Sequence, residues 1–453
     1  MKRVTLNFFR CFDDLDVEFR PGINLLVGDN ASGKTSLFAA CKYVLSTFFS
    51  GFSKEDTKWL SPREKDFMSV ETNGMMSDEH PLTISFKLDK DQFPELFPNE
   101  ILKGFDLDLE QKICKKSYKN SRPIVTGLRD IKNYSESLKY CYVVYDYATK
   151  SEIHLKPLPL FVSYTTEDIH ANRKIEPKKF ISYAKKRSFG YYECLEADGL
   201  LKYWLKRLLA LQEAGEIYHS EIEMIRLAVI HALGPGGCDI IYDMSVRPNV
   251  KKVFYTLKDG RVVEADLLSD GYRRLVSIIT DMAARCVILN RSYWGENAVI
   301  KTRGTAIIDE IDLHLHPSLQ ANIIKGLRNA FPEIQFIIST HSPMVMSGIK
   351  PDANNVVYKM LYDSSAKKYY ISEVNPYGLD ISSISRLILD LSDRDIEVQS
   401  KIDKIFDAID EESYHEANEL LNSLKEELGS NIRELIEART IIDLETGGDE
   451  TDC

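Results

Sequence analysis

The segment Gly28-Asp29-Asn30-Ala31-Ser32-Gly33-Lys34-Thr35 constrains this chain more than any other. It fits the spacing G-x-x-x-x-G-K-[ST], follows the apolar run Ile23 to Val27, and opens an apolar stretch from Thr35 to Phe49 that reads as a helix. A glycine-rich turn between a buried strand and a helix is a phosphate cradle. The glycines let backbone N–H groups converge on phosphate oxygens, and the helix N-terminus adds positive potential. Asp29, Asn30, Ala31, Ser32, Gly33, Lys34, Thr35 and Ser36 form the expected binding set. Lys34 is expected to reach the β- and γ-phosphates of a nucleoside triphosphate such as ATP, and Thr35 to ligate Mg²⁺.

Three later segments supply what such a loop needs. Thr305-Ala306-Ile307-Ile308-Asp309-Glu310 is an apolar strand ending in two acids. Asp309 is placed to hold Mg²⁺ beside the loop, and Glu310 to orient and deprotonate the attacking water. Leu268-Ser269-Asp270-Gly271-Tyr272-Arg273 precedes a helix expected over Gly271 to Leu289. Ser269 and the N–H of Gly271 would grip a γ-phosphate there; taken alone, Ser269 reads equally well as an ordinary N-cap. Ser339-Thr340-His341-Ser342-Pro343 follows another apolar strand. His341 could contact the γ-phosphate and the water, or be a satisfied histidine in a turn.

The remaining pattern fixes the fold class. Short buried strands at Thr305 to Ile308 and Phe336 to Ser339, with a helix from Leu319 to Phe331 between them, imply a parallel sheet. Val4 to Phe12, Leu82 to Leu88, Cys141 to Tyr145 and Leu160 to Tyr164 read as further strands, and Val253 to Leu257 with Val262-Val263 as a hairpin. Leu195 to Leu233 reads as helical, and the chain after Gly378 as helical up to a frayed acidic tail at Glu445 to Cys453.

Charge and cysteine content exclude several classes. The net charge of −11 argues against coating nucleic acid by charge alone. Two local basic stretches remain: Lys112, Lys115, Lys116, Lys119 and Arg122, then Arg173, Lys174, Lys178, Lys179, Lys185, Lys186 and Arg187 with Phe180, Tyr183 and Phe189 interleaved. The eight cysteines are scattered, with no CxxC pair and no zinc-ligand spacing, so reduced thiols in a cytoplasm are expected. No apolar run approaches a bilayer-spanning length, and Met1 to Phe9 reads as a strand because acids follow at Asp13, Asp14 and Asp16.

The ordered set GDNASGKT, LSDGYR, IIDEID and STHSP resembles the Walker A, signature, Walker B with D-loop, and switch-histidine elements of ATP-binding-cassette ATPases. IIDEIDLHLHP followed by IISTHSP is similar to the branch containing RecF, the SMC heads and the OLD-type ATPases. The resemblance implies an α/β head, a P-loop parallel sheet plus a β-rich lobe, with a helical insertion and a helical C-terminal segment. It implies that Ser269 and Gly271 of one copy close over ATP held by the P-loop of another, making a homodimer or higher oligomer. It makes Asp312 a D-loop residue facing the partner and His341 the switch histidine. Asn7 and Arg10 match an N-terminal pattern whose Arg lies near the nucleotide, with Phe9 intervening. One departure is a missing glutamine: none occurs between Ser36 and Asp91, leaving Asp56, Ser61 or Arg63 as substitutes.

The resemblance divides the chain into 1–165 and 246–375 as the two parts of the head, 166–245 as the insertion and 376–453 as the helical end. Arg187-Ser188-Phe189-Gly190-Tyr191 followed by Trp204 looks like the insertion of OLD-like ATPases, and Pro376 to Leu391 followed by Ser392-Asp393-Arg394-Asp395 looks like the ATPase family of Septu anti-phage systems, found also with some retrons. This implies a cytoplasmic ATPase that governs a separate HNH-type nuclease, of the PtuB kind in Septu, and that associates with DNA or retron nucleic acid and with no membrane. A RecF/SMC-like DNA-repair ATPase, a nucleotide sensor with slow turnover and a transporter ATPase are the alternatives.

Overall fold

Among the described residues four strands bury every residue they contain: Ile23–Val27, Leu160–Tyr164, Gly304–Ile308 and Ile334–Ser339. Strands covered on both faces are the mark of a parallel sheet packed between layers. The protein's structure, a computed structural model, describes residues 1–51, 59–68, 70–72, 75–77, 80–89, 110–116, 124–126, 131–136, 156–165, 187–197, 200–215, 218–391, 395–429 and 432–446. The strands among them are β1 (Arg3–Phe9), β2 (Phe12–Glu18), β3 (Ile23–Val27), β4 (Val70–Thr72), β5 (Met75–Ser77), β6 (Leu82–Lys87), β7 (Gln111–Lys115), β8 (Ile124–Thr126), β9 (Leu160–Tyr164), β10 (Ile241–Arg247), β11 (Lys252–Leu257), β12 (Val262–Glu264), β13 (Gly304–Ile308), β14 (Ile334–Ser339), β15 (Val356–Asp363) and β16 (Lys368–Val374).

The central sheet has the order β16-β15-β3-β14-β13-β9. It is parallel from β15 to β9 and closes with β16 antiparallel at one edge. Two buried amides lock its register. Asn24 in β3 donates to the Arg20 and Phe336 carbonyls at 2.8 and 3.1 Å. Gln335 in β14 accepts from Thr305 Oγ1 at 3.0 Å and donates to the carbonyls of Met1 and Arg20. Buried amides satisfied in this way specify one strand alignment where apolar contacts would tolerate several.

A second, antiparallel sheet runs β2-β1-β6-β7-β8, and β10-β11-β12 forms a third. The sequence reads as one strand from Val4 to Phe12. The chain instead breaks after Phe9, where Arg10 takes φ +51°, and returns as β2, paired from Phe9↔Phe12 to Arg3↔Glu18. The acids Asp13, Asp14 and Asp16 hid β2, since only Phe12, Leu15 and Val17 face inward. The stretch 195–233 is two helices, Leu201–Glu213 and His219–Leu233, parted near Gly215 at φ +102°. The helix expected at 319–331 is likewise two pieces, Pro317–Gln320 and Ile323–Ala330. The helix expected at 271–289 is longer, Asp270–Trp294. β15 and β16 were not anticipated at all.

The chain forms two compact units, Met1–Ile381 and Ser382–Cys453. The second contains the helices Ile396–Asp410, Tyr414–Leu428 and Arg433–Glu445, which share a core of Ile402, Ile405, Leu421, Leu424, Leu435 and Ile442. Asp395 caps the first of these through the Glu397 N–H at 2.9 Å. The strand expected at 141–145, Asp56, Ser392 to Arg394, the tail beyond Thr446 and most of the two basic stretches (Lys119, Arg122, and Arg173 to Lys186) lie outside the described residues.

Candidate functional site

Gly33 ends the glycine-rich loop at φ +97° and starts the helix Lys34–Ser46. A β-carbon there would lie 2.6 Å from the Phe12 ring, so both backbone and space require glycine. Lys34 folds back over the loop: Nζ donates to the carbonyls of Gly28 at 2.8 Å and Asp29 at 2.9 Å, and to Ser32 Oγ at 3.3 Å. Phosphate oxygens would give this ammonium stronger, charge-assisted partners than carbonyls do. Burial pushes the Lys34 pKa below its ordinary value, and the carboxylates of Asp309, Glu310, Asp29 and Asp312 pull it back up. Asp29, Asn30 and Ala31 are exposed along the rim, while Ser32 is buried.

β13 ends at Ile308 and delivers Asp309, 3% exposed, beside this loop. Its Oδ2 accepts from Thr35 Oγ1 at 3.2 Å and its Oδ1 from Ser339 Oγ at 2.5 Å. The Ser339 hydroxyl also accepts from the Glu310 N–H at 2.8 Å. Glu310 itself bends away from the strand at φ +47°, a conformation that costs a non-glycine residue about 1–3 kcal/mol and persists where surroundings enforce it. Next, Thr340 Oγ1 donates to Asp312 Oδ1 at 2.5 Å and accepts from the Ser342 N–H at 3.0 Å. The ends of β13 and β14, adjacent parallel strands, are therefore stitched residue by residue, and half-buried His341 directly follows the second stitch in the chain.

Ser269 is exposed at the start of the helix Asp270–Trp294, and its hydroxyl makes no capping hydrogen bond. Gly271 is buried, and a β-carbon on it would collide with the His314 carbonyl oxygen. One turn on, Arg274 Nη2 donates to the Asp309 carbonyl at 2.7 Å. The helix start is thus seated on the segment that follows β13.

Arg10 lies in the wall of a cavity of about 440 Å³ with Thr35, Asp309, Ser61 and Arg63. Asp66, fully buried, accepts from Arg10 Nε at 2.8 Å, from the Tyr43 hydroxyl at 2.5 Å and from the Arg63 N–H at 2.7 Å. Two of the three residues named as substitutes for the missing glutamine, Ser61 and Arg63, therefore line the space next to Thr35 and Asp309. Ser36, half-buried, faces the Cys11 thiol, whose pKa burial pushes up.

A hydroxyl and a carboxylate in direct contact, Thr35 and Asp309, are hard oxygen ligands of the kind Mg²⁺ takes when phosphates and water complete its shell. Among the described residues no group of three or more His, Cys, Asp or Glu could form a protein-only metal cage. The donor set fits a metal that arrives with a nucleotide. Among the same residues no helix is long and apolar enough to cross a membrane.

Four residues of this region carry no assignment from the sequence: Ser339, Arg274, Asp66 and Tyr43. Ser339 had a signal, being the last residue of an apolar strand that parallels the one ending at Asp309. Asp66 had none, since it meets Arg10 across 56 positions of sequence.

Parts of the chain are similar to known proteins. A retron ATPase, "Retron Vc95 probable ATPase" of Vibrio cholerae serotype O1 biovar El Tor, is 32% identical over 181 residues, which are 40% of this chain and 30% of that protein. "Septu protein PtuA" of Bacillus mycoides strain KBAB4 is 39% identical over 82 residues, 18% of this chain and 11% of that one. The chain thus spans less than a third of the length of either. A solved SMC head bound to the C-terminal winged-helix domain of ScpA aligns at TM-score 0.46 and 14% identity, over 83% of this chain and 97% of that one. The model of the AAA ATPase domain matches residues 1–346, the whole span from β1 through the P-loop, Asp309 and His341, and by that match the chain belongs to this family of ATPases.

Proposed function

We propose that the chain binds ATP at the loop Gly28 to Ser36, hydrolyses it where Lys34, Thr35, Asp309 and Glu310 converge, and does so with the nucleotide held between two copies. The hydrogen-bonded cluster Thr35–Asp309–Ser339–Glu310 carries this reading, because it sets a nucleophile-activating acid beside a phosphate cradle with one serine between them. Lys34 neutralises the β- and γ-phosphates. Thr35 and Asp309 would hold Mg²⁺, which supplies charge stabilisation to the transferring phosphoryl group. Glu310 takes the proton of the attacking water, and His341 orients the γ-phosphate and that water. Arg10, held by Asp66, adds positive charge on the flank.

From the second copy, the Ser269 hydroxyl and the N–H of Gly271 bind the γ-phosphate, and Asp312 meets the opposite protomer. Closure excludes water and completes the site. The open or closed state then gates a separate HNH-type nuclease in an anti-phage system, a two-state coupling. The retron and Septu names of the relatives support this role, and DNA or retron nucleic acid would be the trigger or target. The segments 166–245 and 376–453 would serve as insertion and partner-binding end. Light scattering of Glu310→Gln with and without ATP tests the shared site. A mass that doubles with ATP is expected, and an unchanged mass rejects it. Co-purification of an HNH protein encoded beside this chain tests the partner.

A further inference from the structure

Behind the candidate site lies a buried charged cluster that the reading above does not use. Asp281, 1% exposed, sits in the middle of the helix Asp270–Trp294. Its Oδ1 accepts from Trp204 Nε1 at 2.5 Å; its Oδ2 accepts from the Tyr164 hydroxyl at 2.6 Å and from Arg285 Nε at 2.7 Å. Arg285, fully buried, donates from Nη1 to the carbonyls of Gly190 and Tyr192, each at 2.8 Å. Two donors come from other elements, the helix Leu201–Glu213 and the end of β9, and the third lies one turn further along the helix that carries Asp281.

Tyr164 connects this cluster to the site. It pairs with Ile308 across β9 and β13, and its carbonyl accepts from the Asp309 N–H at 2.9 Å. Arg274, seven residues before Asp281 and on the same face of the helix, reaches the Asp309 carbonyl. Asp309 is therefore held through its own N–H by Tyr164 and through its own C=O by Arg274. Both holders are fixed relative to Asp281.

Stability does not explain such a cluster. A buried ion pair gains little over well-packed apolar residues, because desolvation offsets its attraction. Apolar packing, however, would let a helix rotate or slide by a fraction of a turn. Directional bonds from Asp281 to two other elements, and from Arg285 to the carbonyls of Gly190 and Tyr192, do not. The segment Arg187–Tyr191 reinforces them: Arg187 Nε donates to the Leu289 carbonyl at 2.6 Å, and the Tyr191 hydroxyl to the Pro159 carbonyl at 2.7 Å. Arg187-Ser188-Phe189-Gly190-Tyr191 and Trp204, singled out in the sequence, thus converge on one helix.

We infer that Asp281 is a positioning residue for ATP hydrolysis: it fixes the rotation of the helix that begins at Ser269 against the strand ends bearing Asp309 and Glu310, and makes that alignment depend on Trp204. The inference rests on Asp309 and Glu310 being the hydrolytic end. The orientation of Ser269 and Gly271, about 18 Å up the helix at 1.5 Å per residue, is set by the same bonds.

The test is steady-state ATPase activity, nucleotide affinity and thermal unfolding of the full chain for Tyr164→Phe, Trp204→Phe and Asp281→Asn, with Glu310→Gln as the control. Tyr164→Phe deletes the hydroxyl bonded to Asp281 and keeps the ring, whereas Trp204→Phe removes the indole N–H together with part of a buried ring. Tyr164→Phe and Trp204→Phe are expected to lower kcat about three- to tenfold, with KM held within about twofold, as for loss of an interaction that aligns only the reacting groups. Asp281→Asn is expected to cost more; should it not fold, the two Phe variants decide. Wild-type kcat in both Phe variants, even with lowered melting temperatures, would leave Asp281 a purely structural residue and overturn the inference. Wild-type turnover in Glu310→Gln would instead overturn the hydrolytic reading beneath it.

Discussion

The two halves of the candidate site are built in opposite ways. On the P-loop side four side chains have partners from within the cluster: Lys34 on Gly28 and Asp29, Thr35 and Ser339 on Asp309, Thr340 on Asp312. On the Ser269 side the base is rigid and the tip is unused. Gly271 is pressed under His314 and Arg273 Nη2 bonds the Asp266 carbonyl, yet Ser269 is exposed and its hydroxyl does not cap its own helix. One half is preorganised to receive phosphates. The other presents a firmly mounted helix N-terminus whose donors point at nothing within the helix, the condition for binding an anion brought from outside.

That contrast breaks most visibly at the acid. Glu310→Gln should lower turnover by a factor on the order of 10² to 10⁴, the usual contribution of a general base, with ATP affinity retained. Lys34→Ala should remove nucleotide binding itself. Phosphate release and equilibrium binding measured on the same preparations separate the two effects. A Glu310→Gln protein that turns over at the wild-type rate would mean that the stitched half is not where water is activated.

Ser269→Arg addresses the other half. The added side chain should block ATP-driven association while changing ATP affinity of the single chain by less than about threefold, well under 1 kcal/mol. Equal ATP-dependent masses for Ser269→Arg and wild type would sink the division of labour. A smaller effect is expected from Gly271→Ala, which forces the new methyl against the His314 carbonyl and should destabilise the protein by about 1–3 kcal/mol in chemical denaturation. If Gly271→Ala is neutral, the mounting of the helix is softer than its packing indicates.

How much of this was readable beforehand follows from the kind of signal each part leaves. The P-loop, β3, β13 and β14 announce themselves because the needed residues are contiguous and the strands are apolar throughout. β2 and β16 were missed because they meet solvent: acids interrupt β2, and Lys368 to Val374 mixes exposed and half-buried positions. The residues around the reacting groups divided in the same way. Asp309 and Glu310 were legible as the end of a strand. Asp66 was not legible, because its role is to meet Arg10 and Tyr43, and only tertiary packing brings a carboxylate to partners 56 and 23 positions away. The signal of Asp281 was likewise weak: a charge inside an apolar helix, whose three partners sit at positions 164, 204 and 285.

The smallest expected effect gives the finest test of the contrast, because it reads the P-loop half alone. Burial lowers the Lys34 pKa in the unliganded protein, and an adjacent triphosphate raises it again by favouring the charged form. At alkaline pH the unbound protein therefore carries fewer protons on this group than the complex, so binding takes protons up. Well below the lowered pKa both forms are fully charged and the uptake vanishes. Binding enthalpies measured in two buffers of different ionisation enthalpy should show a slope of less than about one proton at alkaline pH, falling toward zero as pH is lowered. Ser269→Arg should leave that slope unchanged, since the proton belongs to the half that is complete without a partner. Proton release in place of uptake, or a slope that Ser269→Arg abolishes, would mean that Lys34 meets the phosphates only after the second copy has closed.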